Sequence, residues 1–594
     1  MKRILFLLII LLSTPAFAEI TNPQLIDKMQ VEITEFGSIE VSGNVNEIQL
    51  NLSIPQEDIY QKIDNFEVSD SNGLCSGKCS YKFVLDKFGN KILNVNWKNP
   101  SEDIDFEVKA IVSVSRRYST EKKMYSEFLK PTILVQSTDP DIASIASKAR
   151  GSDFEKVAYL SKWINENIRY NTVYSDVNIP AKDILRLRIG VCKEFSNLLV
   201  SFLRNLGYYS AVTVGYVHPG KIYTGQNFLP HGWIESYNEE GILSDPTWGE
   251  VGYLDATHIK FATFPDSSWT FSSIYSTGFG SFIVNLKNSN VSVKLLSSEE
   301  KPLLLFTSKL LENNLWKGYA VLKTDISADK CLLTKFDIKS CSSENGDFLE
   351  KVNKENITYF CNEKSIFTIF KIPDLQANIR YNCPIAVLVY GGEQKNIPLT
   401  LSLGEQYFTK LTVDKTTVFP HEVITAQASN SYIFTDNGDY SSDFLEIFSS
   451  YYDFNVYSYN KGALDQQRIS VVANKPLEAS LIVNETAYVG KDLLITVQIK
   501  SLVNYSQMVT VKFKEQVQKE YFTDLKNFSF SFTPQNKNDN LVQIIISTND
   551  FSTSLSKQIT VIEEKSSIDI VTNIFESILK GLSDFLNWLI SLFR

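Results

Sequence analysis

A chain of 594 residues, 43% of them apolar, can fill several hydrophobic cores and is long enough for about four domains. Its 58 Lys and Arg stand against 68 Asp and Glu, for a net charge of −10. That balance argues against nucleic acid as a partner, since phosphate binding draws on clustered Lys and Arg; the sequence also has no glycine-rich phosphate loop and no C-x-x-C pair.

In chain order, Met1 to Ala18 reads as a secretory signal: Lys2 and Arg3, an apolar run from Ile4 to Leu12, then Ala16-Phe17-Ala18 as cleavage site. The apolar run is too short to span a bilayer, and the rival reading is an uncleaved anchor. Either way the protein is expected outside the cytoplasm, secreted or at the cell surface. Asn-x-Ser/Thr tripeptides at Asn51, Asn290, Asn356, Asn484, Asn504 and Asn527 fit an exported glycoprotein, although such tripeptides also arise by chance.

Residues 19–136 alternate with period two, as in Val31-Glu-Ile-Thr, Ile48 to Ile54 and Phe106 to Val114, with turns such as Ser71-Asn72-Gly73. The pattern predicts an antiparallel β-sandwich. Cys75-Ser-Gly-Lys-Cys79 reads as a disulfide staple, because a metal site would need a second ligand cluster.

The character changes after Pro140, within a segment taken as 137–280. Ser152-Asp-Phe-Glu155 is a capping box, and Val157, Leu160, Trp163, Ile164 and Ile168 continue it as a helix. Trp163 and Tyr170 read most simply as core. A short helix, Asp183 to Leu187, delivers the chain to Gly190. Cys192 then opens an apolar stripe of Phe195, Leu198, Leu199, Phe202, Leu203 and Leu206, which Gly207 ends as a C′ residue. A cysteine in the first turn meets free backbone N–H groups and the positive end of the helix dipole, an environment that favours thiolate. The plainer reading is a small buried core residue. Ser210 to Val217 reads as a strand, and His231 to Tyr237, a turn at Asn238 to Gly241, and Ile242 to Ser244 as a hairpin returning Asp245 toward His231. Cysteine, histidine and aspartate are the side chains that build a thiolate nucleophile: a sulfur, a base for its proton, and a group to orient the base.

Cysteine arithmetic favours that chemistry. Of seven cysteines, six fall into local neighbours, Cys75 with Cys79, Cys331 with Cys341 and Cys361 with Cys383, a pairing preferred for its short loops among fifteen connectivities. Cys192 is left over, and a free thiol in an oxidising compartment points to nucleophilic work. Among the other histidines, His218 in Val-His-Pro-Gly reads as solvated, His258 as structural, and His421 lies far downstream. Glu194 and Glu235 read by default as exposed carboxylates.

Arg188-Ile-Gly-Val-Cys192 before an apolar helix, His231-Gly-Trp-Ile-Glu235, and Asp245-Pro-Thr-Trp-Gly249 together resemble the transglutaminase-like superfamily, over roughly Asp141 to Phe264. The resemblance implies a papain-like α+β fold with the cysteine opening a helix and the histidine and aspartate on neighbouring antiparallel strands. It implies Cys192 as nucleophile, His231 as general base and acid, and Asp245 as the orienting carboxylate. Gly232 stands where many members carry alanine, and Gly241-Ile-Leu-Ser244 lacks the tryptophan that often precedes the aspartate.

Beyond this segment the chain is again rich in strands and turns. A disulfide-stapled β domain is expected over 281–399, a further β domain over 400–475, and an Ig-like sandwich over 476–563, from runs such as Leu493-Leu-Ile-Thr-Val-Gln-Ile499. Asp436-Asn-Gly-Asp439 with Asp443 and Glu446 invites a Ca²⁺ reading but lacks EF-hand spacing, and Asn437-Gly438 suits a hairpin turn. Over 564–594, Ile568, Val571, Phe575, Ile578, Leu582, Phe585, Leu586, Leu589 and Phe593 form one stripe of an amphipathic helix. Its polar face holds charges that oppose a span, leaving association with a membrane surface or with a partner helix through 568–593.

The expected architecture is therefore multi-domain: an N-terminal β-sandwich, an α+β papain- or transglutaminase-like core, C-terminal Ig-like sandwiches and a terminal amphipathic helix. The expected function is a thiolate acyl-transfer enzyme acting on proteins or peptides, as a peptidase, amidase or cross-linker, with no cofactor and no metal. The alternative is a non-catalytic adhesion or scaffold protein that uses the same fold as a binding module.

Overall fold

A computed structural model describes residues 20–592, apart from 121, 221–227, 269, 313, 316, 344–345, 354–355, 377, 403–406, 473–476, 503–506, 549–551 and 564–566. The expected signal segment lies outside the described residues. The chain is multi-domain and strand-rich, with five α-helices among the described residues. It divides into two compact units, one ending at Val471 and the other beginning at Val472.

The first unit starts from one long strand, Ile26–Ser53, which pairs antiparallel along its length with Ser272–Glu300, from Ile26 opposite Glu300 to Leu52 opposite Ser272. On its other edge the first half meets Ile104–Ser115 and the second half Lys91–Lys98. Alternate residues Val31, Ile33 and Ile39 are buried, as period-two patterning requires. The register shifts between Gly43 and Asn44, where Gly43 adopts φ +83 and a Cβ would collide with the Ser281 carbonyl oxygen. The expected boundary between 280 and 281 falls inside Ser272–Glu300, so this strand ties the N-terminal sheet to the β segment beyond residue 300.

The α+β core packs the helices Pro140–Ala146, Asp153–Asn167, Ala181–Leu187 and Cys192–Asn205 against antiparallel strands in the order Ile259–Phe264, Tyr209–Val217, Leu229–Tyr237, Gly241–Asp245, Glu250–Val251. The capping box forms: Ser152 N–H donates to Glu155 Oε2 at 2.8 Å and Glu155 N–H to Ser152 Oγ at 3.3 Å. Leu198, Leu199, Phe202 and Leu203 are fully buried, and Gly207 takes φ +89 after the helix end. The sheet does not stop at the core: Val251 pairs with Leu333 of Leu332–Lys339, which continues to Ile357–Phe360 and Ile385–Val389.

That continuation sets the disulfides. Leu332 stands opposite Phe360 and Lys339 opposite Ala386, so Cys331 bonds Cys361 and Cys341 bonds Cys383. The expected pairs Cys331 with Cys341 and Cys361 with Cys383 are corrected by strand register, which outranks nearness in sequence. Cys75 bonds Cys79 as expected, and Cys192 is the free thiol. Residues 412–471 form a further sheet around Ile424, Ile433, Val456 and Ile469. There Asp436 to Asp439 makes the hairpin turn, with Gly438 at φ +101 and Asp436 Oδ2 accepting from Asn455.

The second unit is a β-sandwich. Leu477–Val483, Leu493–Ser501 and Leu525–Phe532 make one sheet; Gln516–Phe522, Gln507–Phe513, Leu541–Ser547 and Ser552–Gln558 make the other. Ile495, Val497, Val511, Phe530 and Ile544 fill its core. The helix Ser567–Leu592 comes last, with Phe575, Ile578, Leu582, Phe585 and Trp588 all more than half exposed. No helix among the described residues is long and apolar enough to cross a membrane.

Candidate active site

Cys192 is the first residue of its helix, reached from Arg188 in the left-handed region (φ +58) through Gly190. A Cβ on Gly190 would stand 2.7 Å from Glu194 Cβ, so glycine allows the chain to pass over the helix it is about to enter. Glu194 closes the turn by accepting from Val191 N–H at 3.1 Å and Ile179 N–H at 3.4 Å. It is fully buried, not exposed as expected, and burial raises its carboxyl pKa. One turn on, Ser196 Oγ donates to the Gly232 carbonyl at 2.9 Å, tying the cysteine helix to the histidine strand. A Cβ on Gly232 would meet nothing closer than 3.7 Å, so the glycine found in place of alanine leaves this joint unchanged.

His231 and Asp245 sit on the two arms of the hairpin. Its register, Ile234 opposite Ser244 and Tyr237 opposite Gly241, sets Asp245 across from Trp233, two residues from His231 on the same face. The pair therefore meets diagonally, and His231 Nε2 lies 2.7 Å from Asp245 Oδ2. The half-buried Cys192 thiol is near enough for its charge to bear on the ring. The structure thus brings His231 and Asp245 into a hydrogen bond and sets Cys192 in their neighbourhood. Trp248 and Trp233 flank the imidazole, with ring centroids 4.9 and 6.3 Å away.

The Asp245 carboxylate is held from several sides. Oδ1 accepts from Thr247 N–H at 2.8 Å and Trp248 N–H at 3.3 Å. The turn that supplies these donors is itself pinned: Asn165 Nδ2 donates to the carbonyls of Pro246 and Thr247, both at 3.1 Å, and Lys335 Nζ donates to Thr247 O at 3.1 Å. Burial by itself would raise the Asp245 carboxyl, but His231 and then His258 hold it well below the usual carboxylate range. For His231, burial disfavours the cation, yet Asp245 and then Cys192 outweigh it and raise the ring to about 9. At neutral pH this imidazole carries a proton.

His258 is the residue that sequence reading passed over. Its sequence context marks it as structural only, but its Nε2 lies 3.3 Å from Asp245 Oδ2 and its Nδ1 3.4 Å from Asp255 Oδ1, with the ring fully buried. Asp255 in turn accepts from Thr257 N–H at 2.7 Å and Thr257 Oγ1 at 2.6 Å. Glu250 accepts from Gln24 Nε2 at 2.9 Å and from Asp255 N–H at 3.2 Å. Burial and the neighbouring Asp255 push the Glu250 carboxyl well up, so it keeps its proton beside an ionised Asp255. Two sets here, His231 with Asp245 and His258, and Glu250 with Asp255 and His258, have ligand-type atoms within 4.8 Å of one another. In the first set both imidazoles meet Asp245 Oδ2 as hydrogen-bond partners; in the second, His258 Nδ1 and Asp255 Oδ2 are buried without a hydrogen-bond partner among the described residues, and His258 and Asp255 meet as an ion pair. The only local signal for His258 is its place 13 residues beyond Asp245, which no motif marks.

Other sequence expectations meet mixed outcomes. His218 is buried, not solvated, and its Nδ1 accepts from Gly220 N–H at 3.1 Å. Glu235 is buried and paired with Lys260, and although burial works against its charge, that ammonium holds it down to about 2. His421 lies outside the site, near Tyr451. Two cavities, of about 620 and 1080 Å³, open elsewhere, and Cys192, His231 and Asp245 line neither.

Residues 142–251 match the model of the transglutaminase-like superfamily. An uncharacterized protein of Mycobacterium leprae is 24% identical over 189 residues, which is 28% of this chain; the chain spans 66% of that relative's length. Among solved structures, a proposed cysteine protease from Cytophaga hutchinsonii is similar over 46% of this chain and 93% of its own, at 18% identity and a TM-score of 0.34. Immunoglobulin domains 1–5 of Sidekick-1 are similar over 60% of this chain and 93% of theirs, at 10% identity and a TM-score of 0.16. Both structural likenesses are too loose to bear on chemistry.

Proposed function

We propose that this chain, whose residues 142–251 carry a transglutaminase-like core, is an exported cysteine acyltransferase or hydrolase acting on proteins or peptides. The observation that carries the reading is a single free thiol at a helix start, whose charge bears on a buried imidazole bonded to a carboxylate. The Cys192 thiolate attacks a carbonyl or carboxamide carbon, and the developing oxyanion is met by a donor such as the Cys192 backbone N–H. As the C–N bond breaks, His231 gives its proton to the departing amine or ammonia, leaving a thioester. Water or a primary amine then attacks that thioester, passing a proton back to His231 and releasing the thiolate. Water makes the protein a hydrolase, a lysine amine a cross-linker. Three disulfides among the described residues support an oxidising, extracytoplasmic setting.

Incubation with glutamine-containing peptides, with and without a primary amine, tests the reading. Ammonia release that iodoacetamide or Cys192→Ala abolishes is the expected result. A Cys192 that stays unmodified by iodoacetamide at mildly acidic pH would overturn it. The second reading, a binding module without catalysis, draws on the β-modules that make up most of the chain; it predicts that Cys192→Ala leaves the biological activity intact.

A further inference from the structure

We propose that His258 is a positioning residue of this site: its imidazolium, anchored by Asp255, shares the Asp245 oxygen that His231 uses and so limits how tightly His231 holds its proton. The inference rests on the reading of Cys192, His231 and Asp245 as a triad.

Geometry comes first. Asp245 Oδ1 is occupied by two backbone N–H groups and Oδ2 by two imidazoles, at 2.7 and 3.3 Å. A carboxylate so filled cannot rotate away from His231 without breaking bonds on its opposite side. His258 cannot drift either. Its ring is fully buried, stands edge-on to Trp233 at 5.1 Å and faces Asp255, whose Oδ1 is fixed by Thr257.

Charge is set by the neighbours. The groups that face His231 are Cys192 from its helix, Asp245 from the hairpin and His258 from the loop beyond it. Behind them stand Asp255, Glu250 and the buried Lys335 of the adjoining strand. With Glu250 neutral, the carboxylates of Asp245 and Asp255 balance the imidazoliums of His231 and His258. Burial disfavours a charged His258, but Asp255 and then Asp245 raise it well above the ordinary histidine range. Without that second cation, Asp245 would act on His231 undiluted. His231 would then hold its proton more tightly and deliver it less readily to a leaving amine. The ring centroids are 6.1 Å apart, a separation at which a unit charge moves a titration by roughly one to two pH units at intermediate dielectric.

The test uses the full chain with ¹⁵N-labelled histidine, whose four rings give separable signals. His258→Gln keeps a donor near the Nε2 position and removes the charge. The expected result is a His231 midpoint raised by about one pH unit or more; an unmoved or lowered midpoint overturns the proposal, whereas a purely structural role would disturb signals without shifting that midpoint upward. In the wild-type protein His258 should be doubly protonated at neutral pH. A neutral His258 there overturns the proposal even if the variant does not fold. Inert Cys192 with a shifted His231 would sink the catalytic reading alone.

Discussion

Replacing Asp245 by Asn removes the charge that makes His231 a cation. His231 rises from an ordinary 6.5 to about 9 against the opposing pull of burial, and Asp245 is the larger of the two groups responsible. The rise is worth about 3 kcal/mol of preference for the protonated ring. With an amide at 245, burial acts on the ring with only Cys192 against it, and His231 should titrate near or below its ordinary value. The equilibrium between a thiolate–imidazolium pair and a neutral pair then falls by up to about 10²-fold. Iodoacetamide reads this directly, because thiolate is the alkylated species and Cys192 is the one free cysteine. At about pH 7.5, between the ordinary imidazole pKa and about 9, where only the wild-type ring stays protonated, labelling of the Cys192 peptide, quantified by mass spectrometry, should slow by about tenfold in Asp245→Asn. Equal labelling rates in the two proteins would refute the ion-pair reasoning.

The same structure makes three further outcomes expected. Because His231 binds its proton more tightly when folded, its contribution to stability is present below about pH 6.5 and is lost as pH rises through about 9. The stability gap between wild type and His231→Gln, measured by urea unfolding, should therefore narrow by about 3 kcal/mol over that interval; a gap independent of pH would contradict it. Peptide mapping without reduction should recover Cys331 with Cys361 and Cys341 with Cys383. The double change Cys341→Ser with Cys383→Ser opens a link between residues 42 apart and should cost about 4 kcal/mol in the chain-entropy treatment, with recovery of a Cys331–Cys341 peptide ruling out the register. Residues 137–280 expressed alone should show no cooperative thermal transition, since Val251 loses Leu333 and Leu254 loses its two backbone bonds to Arg117; a sharp transition would show the core to be self-sufficient.

The placement of a free Cys192 at a helix start and of Asp245 beside His231 is legible in the sequence because three independent signals agree: a cysteine before an apolar stripe, the odd thiol in the count, and a hairpin short enough to return Asp245 toward His231. Each is local. The failures are all non-local. Cys331 sits beside Cys361 because Leu332 faces Phe360, a register that period-two patterning does not encode. The boundary expected at 280 cuts a strand whose partner lies some 240 residues earlier, and turn chemistry gives no sign of that pairing. Glu194, Glu235 and His218 look like ordinary surface residues in sequence. They are buried because partners from other segments satisfy them: Val191 and Ile179 amides, Lys260, and the Gly220 amide. His258 belongs with these, since no local pattern shows that the loop from Tyr253 folds beneath Asp245.

The location of those partners bears on what sets the reactivity of this core. The family match ends at 251, yet several members of the buried polar network lie beyond it or before it: Asp255 and His258 come after, Gln24 precedes and Lys335 comes from the stapled β segment. A thiolate–imidazole pair needs only its three side chains to exist. The proton affinity of the imidazole, however, depends on every charge within several ångströms in a medium that screens them poorly. Here Gln24, just before the strand Ile26–Ser53, donates to Glu250, and Lys335 of Leu332–Lys339 donates to the Thr247 carbonyl; both strands are joined to the core by backbone hydrogen bonds. The β-modules are thus more than spacers. They hold the turn at Thr247 and the Glu250 carboxyl that neighbour the Asp245–His231 pair.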